Sequence, residues 1–180
     1  MRPLEGRGAF VIDPDISPDF VWHAEDARIA AQLVDREATP QAIRFFARHH
    51  RHLSDYGYWF LLGSLWVSYS GWSDLALWRR LLCSDRPHRD TSLMKPSEVR
   101  VFRALPETLT VYRAHRPSET DWIAYTLDRR VAERLATERR GPIRTYQVAK
   151  ADVVALFLRR GEQEVLVLDP RSAAPVPAHG

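Results

Sequence analysis

The chain has 180 residues, of which 45% are hydrophobic, and its 26 basic and 23 acidic residues give a net charge of +3. This length suits one domain with its own core, so we take residues 1–180 as a single unit, and the composition excludes disorder through most of the chain. The net charge is too small to argue strongly for a nucleic-acid partner.

The cysteine content and the apolar stretches predict the compartment. Cys83 is the only cysteine, which excludes an internal disulfide and fits a reducing environment. The opening MRPLEGRGAF has no apolar stretch of signal-peptide length. The most apolar run, Tyr56 to Tyr69, is shorter than the roughly 20 residues that span a membrane. We therefore expect a soluble, cytoplasmic protein with no membrane partner.

The stretch from about residue 26 to residue 105 has the periodicity of helices. The residues expected to share the apolar face of a first helix are Ile29, Leu33 and Val34. A second helix is predicted to begin at Pro40, because Thr39 suits the N-cap and proline suits the first helical position. These residues predict a helical layer in the N-terminal half.

The same half contains three further predicted helices. Leu53 to Tyr69 is apolar on most sides and predicts a helix buried in the core. Another is predicted to begin after Asp74, and a short one to run from Pro96 to Leu105, because Pro106 disfavours helical geometry in the residue before it. The aromatic residues of this half are expected to pack in the core and not to stack on bases.

No metal site is predicted. A lone cysteine cannot form a multi-cysteine site. Three histidines are close together in the sequence, at His49, His50 and His52. Their spacing cannot place all three imidazoles on one helix face, which favours a solvated basic surface over a metal site.

After Pro106 the hydrophobic period changes to two, the period of strands. Strands are predicted at 108–115, 122–127, 143–148, 153–158 and 162–168. One helix interrupts them, beginning after Asp128 and ending before Gly141. The sequence therefore predicts an α+β domain in which an N-terminal helical layer precedes a small, mostly antiparallel sheet. Residues 1–8 and 171–180 lack an apolar period and are predicted to be loose tails, which leaves 106–169 as the β-rich core.

Two carboxylates begin the last predicted strand. Residues two apart in a strand point the same way, so Glu162 and Glu164 are expected to project from one face, which Leu166 and Leu168 continue into the core. Paired carboxylates in a cleft suit reactions that form a glycosyl cation, because one stabilises positive charge while the other handles a proton. The alternative is a solvated strand end.

Arg113 lies in the middle of the first predicted strand, between apolar neighbours. A guanidinium at such a position needs an anionic partner. One candidate is a phosphate or diphosphate of a ligand. The other is a structural salt bridge to Glu164 or Asp128, and the sequence leaves the choice open.

Three segments carry a resemblance to a known family. In chain order they are Tyr112-Arg113, the run Ala124 to Asp128 (AYTLD), and Glu162-Gln163-Glu164. Together they resemble the Arg-Ser-Glu class of mono-ADP-ribosyltransferases, in its small, toxin-like bacterial and phage-associated form. The resemblance extends from about Leu105 to Asp169, and it implies the transferase fold with NAD⁺ as substrate.

The resemblance also implies roles for single residues. Arg113 would hold the phosphates and the nicotinamide ribose of NAD⁺, and the backbone of Ala114 would bind the nicotinamide amide. Glu164 would be the catalytic carboxylate, which bonds the ribose 2′-hydroxyl and stabilises the oxocarbenium-like state. Glu162 would orient or deprotonate the acceptor, the role of this position in members that modify arginine.

The wall of the nicotinamide pocket is expected to contain Tyr125 and Thr126, with Thr126 able to hydrogen-bond Glu164. The family motif usually has a serine where this chain has Ala124, so Thr126 is the candidate to replace that hydroxyl. His115 lies on the same side of its predicted strand as Arg113 and is a further candidate for the cleft.

The activity implied is transfer of ADP-ribose to a macromolecule, with a protein arginine favoured over an RNA or DNA base. Such an enzyme would be an intracellular toxin or a modifier of host machinery, and a neutralising antitoxin would be its expected partner. Two alternatives remain open. One is an NAD⁺ glycohydrolase that uses the same residues, and the other is a non-catalytic protein that binds nucleic acid or protein on the same fold.

Overall fold

The computed structural model describes residues 15–69 and 74–177. Within these ranges the chain is an α+β structure with seven α-helices and a six-stranded antiparallel sheet. The helices are α1 (Ala24–Val34), α2 (Pro40–His49), α3 (Asp55–Ser68), α4 (Leu75–Leu82), α5 (Arg89–Ser92), α6 (Pro96–Ala104) and α7 (Arg129–Arg139). The strands are β1 (Thr108–Ala114), β2 (Ala124–Thr126), β3 (Ile143–Ala149), β4 (Val153–Phe157), β5 (Glu164–Val167) and β6 (Ala173–Pro175).

Helices α3, α4 and α7 begin at a side chain that caps the first turn, and α2 and α6 begin at a proline. The Ser54 hydroxyl accepts a hydrogen bond from Gly57 N at the start of α3, and the Asp74 and Asp128 carboxylates cap α4 and α7 in the same way. Thr39 occupies the N-cap position of α2 as predicted, but its hydroxyl donates to the Arg36 carbonyl and does not cap the helix. Local chemistry therefore explains most of the predicted starts.

Two details of the helical half differ from the prediction. Val34 is 67% exposed, so the apolar face of α1 consists of Ile29 and Leu33 without it. The short helix α5 was not predicted, because four residues are too few to show a helical period. The layer as a whole matches the predicted arrangement of helices before a sheet.

The sheet places the three motif-bearing segments side by side. Its strand order is β4-β5-β2-β1-β3-β6, and every neighbouring pair is antiparallel. The three-residue strand β2 lies between β1 and β5, with Thr126 opposite Tyr112 on one side and Glu164 on the other. Residues distant in the sequence, on β1 and β5, are therefore separated by a single strand.

The start of β5 corrects the predicted strand at 162–168. Gln163 has φ of 44°, in the left-handed region, so extended structure begins only at Glu164. Glu162 lies in the preceding turn, which also contains Gly161 at φ of 67°. The period of two had predicted that the two carboxylates project from one strand face, and that prediction is wrong because Glu162 is not in the strand.

The predicted tail at 171–180 is corrected in part. Residues Ala173–Pro175 form β6, which pairs with β3, and Ala173 is 4% exposed. The strand was not predicted, because its three residues include a proline and are too few to show an alternation of apolar and polar side chains. Residues 1–8, the other predicted tail, lie outside the described residues.

One hydrophobic core joins the helical layer to the sheet. It contains the fully buried Trp59 and Trp78 from the helices and Val165 and Leu166 from β5. Buried Glu98 on α6 accepts hydrogen bonds from Leu158 N and from the Arg159 guanidinium, so a polar contact also fixes this junction. Among the described residues no helix is long and apolar enough to cross a membrane.

Candidate active site

A cavity of about 500 Å³ lies between the end of α3, the start of α4, strands β1 and β2, and α7. The lining residues that the sequence had singled out are Arg113, Ala114, Tyr125, Thr126, Glu162 and Glu164. The helical layer contributes Trp66, Tyr69, Leu75 and Trp78 to the same wall. The structure thus brings together residues from three separate segments of the β-rich half and adds aromatic residues from the other half.

Arg113 forms a buried ion pair with Glu119. Its Nε donates to Glu119 Oε2 at 3.2 Å, its Nη2 donates to Oε1, and its Nη1 donates to the Ala124 carbonyl. The two side chains are 11% and 5% exposed. The salt-bridge partner is therefore Glu119, and neither Glu164 nor Asp128 takes that place. No period or motif marks Glu119, which lies in the loop between β1 and β2.

The guanidinium of Arg113 keeps part of its hydrogen-bonding capacity. Of its five N–H groups, three are used by Glu119 and Ala124. The other two find no acceptor among residues 15–69 and 74–177. Arg113 lines the cavity, and these two N–H groups are the donors that it has left for a ligand anion.

The carboxylate of Glu119 is strongly stabilised in its charged form. Burial raises its pKa, but hydrogen bonds from His115 and Arg113 outweigh burial and lower the pKa to about 2. His115 is 7% exposed, with Nδ1 at 3.2 Å from Glu119 Oε2 and Nε2 at 2.8 Å from the Tyr146 hydroxyl. His115 is therefore placed behind the cavity wall, not in it, and supports the Arg113 pair from there.

Glu164 is in a different situation. Its Oε2 accepts hydrogen bonds from Trp66 Nε1 at 2.8 Å and from Arg160 Nη2 at 3.3 Å. Its Oε1 accepts none from the described residues. Burial is the main cause that raises the pKa of Glu164, and Arg160 and Trp66 only partly oppose it. One oxygen of this carboxylate is therefore held by protein, and the other is open to a ligand.

Glu162 is held by two arginines. Its Oε2 lies 3.0 Å from Arg160 Nη2, and its Oε1 lies 3.6 Å from Arg134 Nη2. Arg160 therefore bridges Glu162 and Glu164, although the two carboxylates leave the backbone from different kinds of structure. Sequence reasoning missed Arg160, because an arginine in a turn looks like an ordinary solvated residue.

Thr126 does not make the contact that was expected of it. Its hydroxyl donates to the backbone carbonyl of Glu162, and it accepts from Asp128 N at 3.0 Å. The predicted hydrogen bond to the Glu164 side chain is therefore wrong, although Thr126 and Glu164 are directly opposite in the sheet. Its hydroxyl fixes the turn that carries Glu162.

Tyr125 forms part of the cavity wall and is 3% exposed. Its hydroxyl accepts a hydrogen bond from Trp122 Nε1 at 2.7 Å. Burial raises the pKa of Tyr125 to about 12, so the phenol stays protonated across the physiological range. This side chain offers a rigid aromatic surface and no ionisable group.

The cavity also contains a concentration of arginine. The guanidinium-bearing residues that line it are Arg113, Arg116, Arg134, Arg139 and Arg160. Arg139 donates to the Ala114 carbonyl at 2.8 Å, and burial together with the charges of Arg113 and Arg116 lowers its pKa. The same lining contains five carboxylates, those of Glu119, Asp121, Glu138, Glu162 and Glu164, so the formal charges of the cavity balance. Repulsion between cations acts locally at Arg139, and an anionic group of a ligand would relieve it there.

No family model, curated protein or solved structure matches this chain. In the described part of the chain, no group of three or more histidine, cysteine, aspartate or glutamate side chains has a geometry suited to a metal ion. The function is therefore argued from the cavity itself.

Proposed function

We propose that the protein is a mono-ADP-ribosyltransferase that cleaves the nicotinamide–ribose bond of NAD⁺ and transfers ADP-ribose to a macromolecule. The observation that carries this proposal is the convergence of Arg113, Thr126 and the two glutamates on one cavity, from three segments well separated in the sequence. The order of those segments is the order that resembles the Arg-Ser-Glu class. An ADP-ribosyltransferase type of α+β fold is part of the same proposal.

The proposed reaction assigns different tasks to the arginines and to Glu164. Arg113, with Arg139 nearby, would bind the diphosphate of NAD⁺ through guanidinium N–H groups. The open Oε1 of Glu164 would accept the hydrogen bond of the ribose 2′-hydroxyl and stabilise the oxocarbenium-like state. A fixed anion beside developing positive charge is the arrangement that such a transition state needs.

The bonds balance in a single displacement at the ribose C1′. The C1′–N bond of NAD⁺ breaks, and its electron pair leaves with neutral nicotinamide. A nucleophile of the acceptor forms the new bond to C1′, and Glu162 takes the proton that the nucleophile loses. Tyr125 and the backbone of Ala114 would bind the nicotinamide ring and its amide.

A protein arginine is the acceptor that we favour over an RNA or DNA base. The support for arginine is the resemblance, because a glutamate at the position of Glu162 is typical of members that modify arginine. Arg134 and Arg160 occupy the two oxygens of Glu162 in the structure, so the acceptor would displace at least one of them. In this proposal the protein acts in the cytoplasm as a toxin or as a modifier of host machinery. A neutralising antitoxin would be its partner, docked on the aromatic helical half.

The test uses the purified protein, NAD⁺, and a cell lysate that contains protein and RNA. Free nicotinamide and ADP-ribose attached to each fraction are followed for the wild type, for Glu164→Gln, and for Glu133→Gln as a control on the exposed face of α7. Activity in the wild type and the control, but not in Glu164→Gln, supports the proposal, and the labelled fraction identifies the acceptor. Absence of NAD⁺ consumption by all three proteins contradicts it.

The pairing of Arg113 with Glu119 favours a second candidate, a non-catalytic binding protein. In that case Arg113 is structural and the arginine-rich cavity binds a phosphate of nucleic acid. Affinity for nucleic acid that falls steeply with salt, together with no NAD⁺ binding, would support this candidate. Nicotinamide release without any labelled macromolecule would instead indicate an NAD⁺ glycohydrolase.

A further inference from the structure

The end of α3 provides a contact between the helical layer and the proposed catalytic carboxylate. Trp66 Nε1 donates to Glu164 Oε2 at 2.8 Å. One residue later, the Val67 carbonyl accepts from Arg160 Nη1 at 3.1 Å, and the other nitrogen of that guanidinium reaches Glu164. Both donors to the carboxylate are therefore held by α3, one as its own side chain and one through its backbone.

The sheet supplies no alternative donor to Glu164 within the described residues. Ala124 has no hydrogen-bonding side chain, and the Thr126 hydroxyl is engaged with the Glu162 carbonyl. Both hydrogen bonds that Glu164 does accept end on the same oxygen, Oε2. Oε1 is therefore the oxygen left for a ligand, and the orientation of the carboxylate depends on what holds Oε2.

The indole of Trp66 is well suited to hold Glu164 Oε2 in place. Its ring packs edge-on against Trp78, with 4.9 Å between the ring centroids and an interplanar angle of 87°. Trp78 is 1% exposed, and α3 itself is anchored by the buried Tyr58 and Leu62. An aromatic donor fixed on a buried helix loses little freedom when it binds, so the hydrogen bond has one geometry.

We propose that Trp66 is a positioning residue for the transferase reaction, which fixes Glu164 through Oε2 so that Oε1 meets the substrate ribose. It supplies from the helical layer the support that Ala124 lacks. This inference rests on the proposed function. It also gives the N-terminal helices a catalytic task, where the sequence had indicated none.

The ionisation of Glu164 provides a readout that packing alone does not change. The charged groups that act on this carboxylate are Arg160 and Glu162 from the turn and Arg113 from β1, whereas α3 contributes the neutral Trp66 donor. The Trp66 hydrogen bond favours the charged form and so lowers the pKa. Its removal should move the acid limb of the activity profile to higher pH.

The experiment compares Trp66→Phe with Trp59→Phe. Both residues lie on α3, and each substitution removes an indole N–H donor. Trp59, however, donates to the Pro87 carbonyl and does not line the cavity. For each protein, kcat and KM for NAD⁺ are measured as nicotinamide release from pH 4 to pH 9. The titration of the Glu164 carboxyl is followed in parallel by carbon-13 NMR, with Glu164→Gln used to assign its signal.

We expect Trp66→Phe to lower kcat about 10-fold or more, with little change in KM, because a hydrogen bond to a charged group is lost. Its acid limb and its Glu164 titration should both move to higher pH, and Trp59→Phe should leave both where they are in the wild type. Equal effects of the two variants on kcat and on both pH readouts would overturn the inference. If the wild type releases no nicotinamide, the proposed function fails, and the catalytic task of Trp66 fails with it.

Discussion

Two buried carboxylates in the lining of the cavity have pKa values that are shifted in opposite directions. Glu119 receives hydrogen bonds from Arg113 and His115, and its pKa falls to about 2. Glu164 is buried with less compensation, and its pKa rises. The first carboxylate stabilises the fold, whereas the second is held at a cost in folding free energy. A cost of this kind, at a cavity wall, is characteristic of a residue retained for binding or catalysis.

The largest expected effect is at Glu164, where a substitution should lower activity without lowering stability. In the proposed reaction, Glu164→Gln should lower nicotinamide release roughly 10²- to 10³-fold, because it removes the negative charge assigned to stabilise the oxocarbenium-like state. Its melting temperature should equal or exceed that of the wild type at pH 7, since a raised folded-state pKa means that ionisation destabilises the fold. Calorimetry and a nicotinamide assay check both. A lower melting temperature would contradict the claim that ionisation of Glu164 destabilises the fold.

In contrast, Glu119→Gln should destabilise the protein by about 3 to 5 kcal/mol, because it leaves the buried Arg113 guanidinium without a compensating charge. Urea denaturation provides the measurement. The control is Glu133→Gln, which removes an exposed partner of Arg129 and should change stability by less than about 1 kcal/mol. Equal decreases in the free energy of unfolding of the two variants would show that the Arg113–Glu119 pair stabilises the fold no more than an exposed ion pair does.

These contacts also show how far the sequence predicts the site. The period of two located the strands that carry Arg113 and Glu164, because alternation is a local property. Glu119 and Trp66 were missed for a different reason. Each acts through a contact that the fold creates, and Trp66 is separated from Glu164 by 98 positions in the chain. A single sequence contains no local signal for such a pair.

The same distinction applies to the fold. The α+β class and most helix starts followed from capping residues and periodicity, such as Asp128 before α7. The start of β5 did not, because the left-handed conformation of Gln163 is not marked by a glycine at that position. The family-specific part of the predicted fold remains a proposal.

The pH dependence of stability sharpens the comparison further. Glu119 has a folded-state pKa of about 2 against an ordinary value near 4.5, so its contribution is present above pH 4.5 and is lost as the pH falls toward 2. That loss should amount to about 3 kcal/mol. The difference in stability between wild type and Glu119→Gln should therefore shrink over this range. A difference that stays constant with pH would contradict the assignment.

The smallest predicted effect concerns the turn that carries Glu162, directly before Glu164. Thr126→Val removes the hydroxyl that donates to the Glu162 carbonyl and should cost about 1 kcal/mol. Thr110→Val, at an exposed site on β1, is the matched control and should cost less. In the proposed reaction Glu162 serves the acceptor, so transfer to an acceptor should fall in Thr126→Val more than NAD⁺ hydrolysis does. Equal losses in the two reactions would argue against that role.

The contact between Trp66 and Glu164 also has a consequence for the order of events during synthesis. Helix α3 leaves the ribosome long before β5, and β5 pairs with β2 and β4, all of which come after α3 in the chain. The carboxylate can therefore reach the indole only after most of the chain has been made. A nascent chain that ends before Val167 lacks the last residue of β5, so the contact between Trp66 and Glu164 is completed late in synthesis.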